Sequence, residues 1–249
     1  MLIGPIELIK QSLELYQKNF KKILPYILFL LIPAFVLIAL AVGLLFIYAY
    51  AEAYLPFISI VIFIVFLASS IYSIWVKIAL AKTIKACYEN QNPGDCKQMF
   101  TSSWHLIWPA ILITILVILI MIGGYILFII PGVIFMIWFI FVFYAVVLDE
   151  KKVIESLSFS KNLVVGRWWP IVLRLILPLI LFGLIIIISD SIFNTIVSAL
   201  ISSQTWQLIA SIIINSIVNT FAAPLIMISL VILYVQAKNN PISTTPIKK

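Results

Sequence analysis

Long apolar stretches without a charged residue alternate along the chain with short polar segments. Charge-free runs cover residues 23–51, 53–76, 106–148 and 191–237, and residues 171–189 carry a single charge, Arg174. A helix that crosses the hydrocarbon core of a bilayer needs about 20 mostly apolar residues. The pattern therefore predicts an all-α polytopic membrane bundle with six spans, at residues 23–50, 55–76, 106–130, 132–148, 170–189 and 208–235.

Two boundaries in this pattern need their own argument. The run over residues 106–148 is long enough for two crossings, and a turn at Pro131-Gly132 divides it, because proline and glycine interrupt helical patterns. Gly123-Gly124 is the alternative turn. Residues 191–206 contain too many serines, asparagines and glutamines for a further span. We interpret them as an amphipathic or re-entrant segment on the outer side.

Three polar segments have the pattern of amphipathic helices at a membrane surface. They cover residues 5–21, 95–104 and 150–165 on the cytoplasmic side, and each precedes a pair of spans, so the spans form three hairpins. Asp95 and Asp149 are the predicted N-caps of the second and third helices, and Gly166 is the predicted C-cap of the third. The apolar stripe of the first helix is Ile6, Ile9, Leu13, Tyr16 and Phe20, and that of the third is Val153, Leu157, Ser160 and Val164.

The composition agrees with this pattern and excludes other classes. Hydrophobic residues make up 64% of the 249 residues and charged residues 10%, whereas a soluble domain has about 45–50% and about 25%. A water-soluble fold of this size cannot bury such an excess. A soluble enzyme, a disulfide scaffold and a disordered protein are therefore excluded, and residues 1–249 form one integral membrane domain.

The basic residues lie on one side of the predicted membrane. The chain has 16 lysines and arginines and a net charge of +7, and six spans place all of these residues on the side of both termini. Glu52 and Asp190 are the charges of the outer side. The positive-inside rule then predicts a multi-pass protein of the cell inner membrane with cytoplasmic termini. We expect membrane lipids with anionic headgroups as partners, no nucleic acid, and a membrane protein partner of unknown identity.

The sequence predicts no catalytic or metal site. Cys87 and Cys96 have a spacing that matches no common zinc site, and His105 is the one histidine. No motif for a nucleophile, a phosphate-binding loop or a metal-dependent hydrolase is present. We therefore expect reduced thiols, no cofactor and no enzyme activity.

Polar residues within the spans are the candidate ligand sites. Ser211, Asn215 and Asn219 recur every four residues and share one face of the last helix. They either form hydrogen bonds between helices or line a polar cavity for a headgroup or a small solute. Arg174 either extends to the cytoplasmic interface or turns inward to bind a lipid phosphate or an acid. The serines of the second span that could meet the stripe are Ser69, Ser70 and Ser73.

Several turns and caps together resemble a known family. These are Ile130-Pro131-Gly132-Val133, Asp149-Glu150, Ser156-Leu157 with Ser160-Lys161 and Leu163, Trp168-Trp169, Ala223-Pro224-Leu225 and Leu233-Tyr234. The pattern resembles the six-span membrane domain of some bacterial glycerophosphodiester phosphodiesterases and related stand-alone proteins. In that family the hydrolase chemistry belongs to a separate soluble barrel domain. The chain ends at Lys249 without one, so the resemblance implies a membrane domain and no hydrolase activity.

Two functional hypotheses follow from the sequence. The first is a non-catalytic scaffold or lipid-interacting module of this type, because basic residues and surface helices share one side and no catalytic motif is present. The alternative is a small transporter or permease-like subunit with a polar site near the last helix, because Asn215 and Asn219 lie within a span that also contains Pro224.

Overall fold

The computed structural model describes residues 2–50, 55–127 and 129–241, and these residues are helical with no strand. Glu52, Lys248 and Lys249, which carry part of the predicted charge pattern, lie outside them. Trp104–Leu106 form a short 3₁₀ turn. The helices are α1 (Pro5–Lys18), α2 (Phe20–Tyr50), α3 (Leu55–Tyr88), α4 (Cys96–Ser103), α5 (Ile107–Leu127), α6 (Ile129–Trp138), α7 (Val142–Asp149), α8 (Val153–Val164), α9 (Trp168–Leu200) and α10 (Gln204–Asn239).

Six segments of the described residues are long and apolar enough to cross a membrane. This confirms the predicted all-α fold with six apolar helices and supports a membrane-embedded, multi-pass protein. Neighbouring helices pack in pairs: α2 on α3, α5 on α6, and α9 on α10. The segments are Phe20–Leu40, Phe57–Tyr88, Cys96–Ile126, Ile129–Asp149, Trp168–Leu200 and Gln204–Asn239.

The buried core lies at one end of the bundle, where α1, α4 and α8 meet the ends of α3, α7 and α10. We call this the basic end, because Lys82, Lys85 and Lys238 meet there. At the opposite, distal end large apolar side chains are exposed, and Ile126 and Leu200 are each 79% exposed. Such extensive apolar exposure is unusual for a water-soluble monomer, because each exposed side chain loses the free energy that burial would provide.

The connection between the third and fourth apolar helices differs from the predicted turn. Both Gly123-Gly124 and Pro131-Gly132 lie inside helices, in α5 and α6, and α6 begins at Ile129. Proline is tolerated in the first helical turn, where its missing N–H has no helical partner. Gly124 and Gly132 instead allow α5 and α6 to pack closely, since a Cβ on Gly124 would lie 3.1 Å from the Gly132 Cα. Phe128 is outside the described residues.

The fourth apolar segment is broken, whereas the sequence predicted one span at 132–148. Helix α6 ends at Trp138 and α7 begins at Val142. The Ser160 hydroxyl on α8 donates to the Trp138 carbonyl at 2.7 Å and accepts from the Phe141 N–H at 3.2 Å. Backbone groups freed by the break thus have a partner in a buried environment, where unpaired ones are costly.

The fifth apolar helix, α9, continues through residues 191–200, which the sequence predicted to belong to a separate segment. Residues 191–200 extend α9 to Leu200, and only residues 201–203 connect it to α10, which begins at Gln204. Hydroxyl groups in the extension bond to carbonyls of their own helix, as Thr195 does to Ser191 at 2.8 Å. Polar side chains that bond within the helix do not terminate it. The predicted outer segment at 191–206 is therefore not a separate element.

The three polar segments that were predicted to be helical form α1, α4 and α8, and the buried face of α1 differs from the predicted stripe. Helix α1 buries Leu8, Ser12 and Leu15, whereas Ile6 of the predicted stripe is 75% exposed. The buried face of α1 is the one that contacts α9 and α10, and on it the Ser12 hydroxyl lies 2.9 Å from that of Ser229.

The caps of α8 differ from the prediction, whereas that of α4 agrees with it. Asp149 is the last residue of α7 and does not cap α8, whose N-cap is Lys152 and whose C-cap is Val165. Gly166 follows this C-cap with φ +86°, a conformation that favours glycine. Asp95 is the N-cap of α4, as predicted.

Candidate functional site

A charged cluster joins three helix ends at the basic end of the bundle. Asp149 at the end of α7 accepts a hydrogen bond from the Tyr234 hydroxyl at 2.7 Å and pairs with Lys238, both on α10, also at 2.7 Å. Its other oxygen lies 3.5 Å from Lys85 on α3. Because the Asp149 side chain is only 9% exposed, these contacts are made in a poorly solvated position and are stronger than surface ion pairs.

Glu150 extends the cluster toward solvent. Its backbone is left-handed, with φ +51°, and this reverses the chain after α7. Its carboxylate lies 3.5 Å from Lys82 and 3.5 Å from His105. Lys82 also donates to the Ser102 carbonyl at 3.0 Å. The acidic pair thus connects α7 with α3 and with the segment between α4 and α5.

The cluster has the chemistry of a structural centre. Both carboxylates face cations, and among the described residues no group of three His, Cys, Asp or Glu side chains could hold a metal ion. A general base needs a nearby proton donor in a substrate position; here the donors closest to Asp149 are the Tyr234 hydroxyl and the Lys238 ammonium, both groups of the protein itself. The sequence pattern did not predict this centre, although it contains one signal: two adjacent acids, Asp149 and Glu150, end a span.

The polar stripe of the last helix is divided between exposed and half-buried positions. Ser211 and Asn215 are half-buried, whereas Asn219 is exposed and its amide donates to the Asn215 backbone carbonyl at 2.7 Å. The Asn215 Oδ1 atom is buried and has no hydrogen-bond partner among the described residues. Ser70 and Ser73 donate to carbonyls of their own helix, those of Phe66 and Ser69.

Two polar residues of α9 resemble Asn215 in having a buried, unpaired side-chain oxygen among the described residues. Asp190 and Asn194 each have a buried side-chain oxygen without a partner among the described residues. Asp190 lies ten residues before the end of α9 and Asn215 eleven residues after the start of α10. Because α9 packs on α10 and residues 201–203 connect them, Asp190 and Asn215 are at similar distances along their helices from this connection. Asp190 is thus well inside a helix, whereas the sequence placed it in a loop at the outer water boundary.

Two arginines bind backbone carbonyls. Arg174 donates to the carbonyls of Ile3 at 2.5 Å, Pro170 at 2.7 Å and Leu2 at 3.2 Å, so it attaches the N-terminal segment to α9. The acceptors that the structure gives the Arg174 guanidinium are thus backbone carbonyls of the N-terminal segment and of its own helix. Arg167, which the sequence analysis did not single out, holds the end of α10 by donating to the carbonyls of Ala237 and Asn240, both at 2.6 Å.

Comparison with known proteins gives no relative for this chain: no family model, no curated protein and no solved structure matches it.

Proposed function

We propose that the chain is a non-catalytic multi-pass protein of the cell inner membrane that serves as a scaffold or lipid-interacting module. The observation that carries this proposal is the separation of exposed side chains along the bundle. Exposed apolar side chains follow the apolar helices from mid-span, as at Leu119, to the distal end, as at Ile126 and Leu200, whereas the exposed lysines lie at the basic end. A bilayer accommodates this arrangement, because apolar surface meets acyl chains and lysines meet anionic headgroups.

Exposed tryptophans support a membrane boundary near the basic end. Trp104, Trp108 and Trp169 are each at least 65% exposed. Tryptophan favours the interface between acyl chains and water, because its ring is apolar and its N–H is polar. Lys77 is exposed two residues after Trp75, and the Lys161 ammonium lies 4.5 Å from the centre of the Trp138 ring. These two lysines are suited to contact headgroup phosphates at this boundary.

Helix α1 has the three faces of a helix that lies between protein, lipid and water. Leu8 and Leu15 face the core, Ile6 is exposed on an apolar face, and Lys10 and Glu14 are exposed on a charged face. A soluble amphipathic helix needs only two such faces. We infer that the outward apolar face of α1 contacts the bilayer surface.

The proposed orientation has both termini and the basic end in the cytoplasm, with three hairpins that point outward. It rests on the positive-inside rule and on the pairwise packing of α2 with α3, α5 with α6, and α9 with α10. The resemblance of the sequence motifs to the glycerophosphodiester phosphodiesterase membrane domain favours the same assignment. Under this proposal the chain supplies the membrane part of an assembly and no hydrolase chemistry.

Stability in defined lipids tests the proposal. The protein is placed in nanodiscs of phosphatidylcholine with or without phosphatidylglycerol, and its thermal unfolding is followed by circular dichroism. We expect a higher midpoint with phosphatidylglycerol at low salt and a smaller difference at high salt, because salt screens exposed charges. The double variant K77Q/K161Q should lose much of this difference, whereas K21Q, at an exposed lysine outside this pair, should keep most of it. Equal midpoints of the native protein in both lipids at low salt would contradict the proposal.

A second candidate function is a small transporter subunit, and the unpartnered oxygens of Asp190, Asn194 and Asn215 favour it. A carboxylate and amide oxygens are suitable ligands for a cation, and polar sites within membrane helices commonly belong to transport pathways. The test is uptake of radioactive Na⁺ into liposomes. Asn215→Leu should abolish uptake, whereas Asn219→Leu, at the exposed position of the same stripe, should not. No uptake by the native protein would exclude Na⁺ transport.

A further inference from the structure

We propose that a cavity at the basic end binds a phosphate-bearing anion. The cavity has a volume of about 320 Å³ and opens between the end of α1, the start of α2 and the end of α3. The lipid contacts proposed above involve Lys77 and Lys161, and neither lines this cavity. The inference is therefore independent of them.

The lining carries an excess of positive charge. Lys18 is the last residue of α1 and Lys22 is in the first turn of α2, and both line the cavity. Neither lysine has an ion pair with an acidic side chain among the described residues. The lining includes one carboxylate, Glu14, which is paired with Lys10 outside the cavity at 3.9 Å. Two uncompensated ammonium groups therefore remain to attract an anion.

Neutral donors complete the lining. The side-chain amides of Gln11, Asn90 and Gln91 border the cavity. The Tyr88 hydroxyl accepts a hydrogen bond from Gln236 at 2.8 Å, so its own hydrogen is available to donate. Ammonium and amide N–H groups are the donors that proteins use for phosphate oxygens. Carboxylate ligands that would favour a metal cation are reduced to Glu14, which is already paired.

The walls of the cavity are fixed by backbone hydrogen bonds. At the end of α3 the left-handed Asn90, with φ +55°, reverses the chain, and its N–H donates to the Cys87 carbonyl at 3.2 Å. The Gln91 N–H donates to the Ala86 carbonyl at 2.8 Å. On the opposite wall the Asn19 N–H donates to the Leu15 carbonyl at 3.0 Å. The cavity is therefore formed before a ligand binds, which reduces the entropic cost of binding.

The position of the cavity favours access from water. Tyr88 lies thirteen residues beyond Trp75 on the same helix α3, which corresponds to about 20 Å along the helix axis. The Trp75 ring packs against that of Trp104, with centroids 5.3 Å apart, so Trp75 lies near the proposed membrane boundary. The cavity therefore lies on the aqueous side of this boundary. A soluble phosphate ester and a lipid phosphate share the required chemistry, and the experiment below distinguishes them.

Titration calorimetry in an uncharged detergent at low salt tests this inference. The probes are inorganic phosphate, glycerol phosphate and short-chain dihexanoyl phosphatidylglycerol. We expect saturable binding of at least one probe to the native protein. The double variant K18Q/K22Q should bind about tenfold or more weakly, because it loses both charge-assisted contacts. The control K21Q/K97Q removes the same charge at two exposed lysines outside the cavity and should bind within about twofold of the native protein.

A variant that adds a donor keeps the test valid if K18Q/K22Q folds poorly. Gln91 is exposed at the rim, and Q91K should tighten binding by about threefold or more through an added ammonium group. Binding of the phospholipid probe alone would assign the site to a headgroup, and binding of glycerol phosphate to a soluble ester. Absence of saturable binding to all three probes, or equal weakening by both double variants, would overturn the inference.

Discussion

The Ser160 hydroxyl donates to the Trp138 carbonyl at 2.7 Å, across 22 residues of sequence. Trp138 ends α6 inside an apolar segment, and the same hydroxyl oxygen accepts from the Phe141 N–H at 3.2 Å on the other side of the break. One buried side chain on α8 thus satisfies both ends of a helix interruption. A broken helix within an apolar segment is tolerated where other parts of the protein bind its free backbone groups.

Removal of this hydroxyl tests its role. Ser160→Ala leaves a carbonyl and an N–H without a partner, so we expect a loss of about 1–3 kcal/mol in the free energy of unfolding. Ser158→Ala, at an exposed position of the same helix, is the matched control and should change it by less than about 0.5 kcal/mol. Denaturant unfolding in mild detergent gives both values. Equal stability of the two variants would show that the break is satisfied in another way.

The Asp149 cluster should contribute more to stability than its solvent-facing neighbour. Asp149→Asn removes the charge that faces Lys85 and Lys238, so we expect the free energy of unfolding to fall by about 1–3 kcal/mol. The loss is smaller than for a fully buried ion pair, because Lys238 is partly exposed and regains hydration. Glu150→Gln should cost less than about 1 kcal/mol, since Glu150 is 57% exposed and its ion pairs are longer. Unfolding in the same detergent measures the difference. A larger effect of Glu150→Gln would contradict this ranking.

Two adjacent glycines of α5 should respond oppositely to alanine. A Cβ on Gly124 would lie 2.9 Å from the Phe135 ring and 3.1 Å from the Gly132 Cα, whereas a Cβ on Gly123 meets nothing within 4 Å. Gly124→Ala should therefore destabilise the protein by about 1–3 kcal/mol through overpacking. Gly123→Ala should leave stability unchanged or raise it by up to about 1 kcal/mol, because alanine favours a helix. Thermal unfolding of the two variants side by side checks the signs.

Arg167 should control the end of α10. Its guanidinium donates to the Leu163, Ala237 and Asn240 carbonyls, each at 2.6 Å. Arg167→Lys retains the charge but lacks the planar set of donors, so we expect the last turn of α10 to open more often. Hydrogen exchange at residues 236–240 should become about tenfold faster, whereas exchange in the middle of α9 should not change. Unchanged exchange at the end of α10 would show that the lysine suffices.

The helices and the separation of charge could be predicted because they depend on local sequence. A run of about 20 apolar residues has few stable alternatives to a membrane helix, since its backbone must form its own hydrogen bonds. The α4 cap at Asp95 was predictable for the same reason, because an N-cap acts within one turn. The α5–α6 turn was not, because proline and glycine also fit inside helices when a neighbouring helix packs closely against them.

The candidate sites were predictable only in part. The stripe of Ser211, Asn215 and Asn219 follows from helical periodicity, but its division into half-buried Asn215 and exposed Asn219 depends on how α9 and α10 pack. The Lys18–Lys22 cavity brings together the end of α1, the start of α2 and the end of α3. Because its lining comes from three separate segments, no local sequence pattern predicts this cavity.

The sequence alone therefore determined that this protein consists of apolar helices with basic residues gathered in the polar segments between them. The tertiary structure decided what those polar residues do. Asp149 pairs with lysines 64 and 89 residues away in the chain, Arg174 binds carbonyls at the N-terminus, and Ser160 closes a break in another helix. The physical reason is range: hydrophobic transfer and helical hydrogen bonds act on consecutive residues, whereas buried polar groups take whichever partner the packed helices bring within hydrogen-bonding distance.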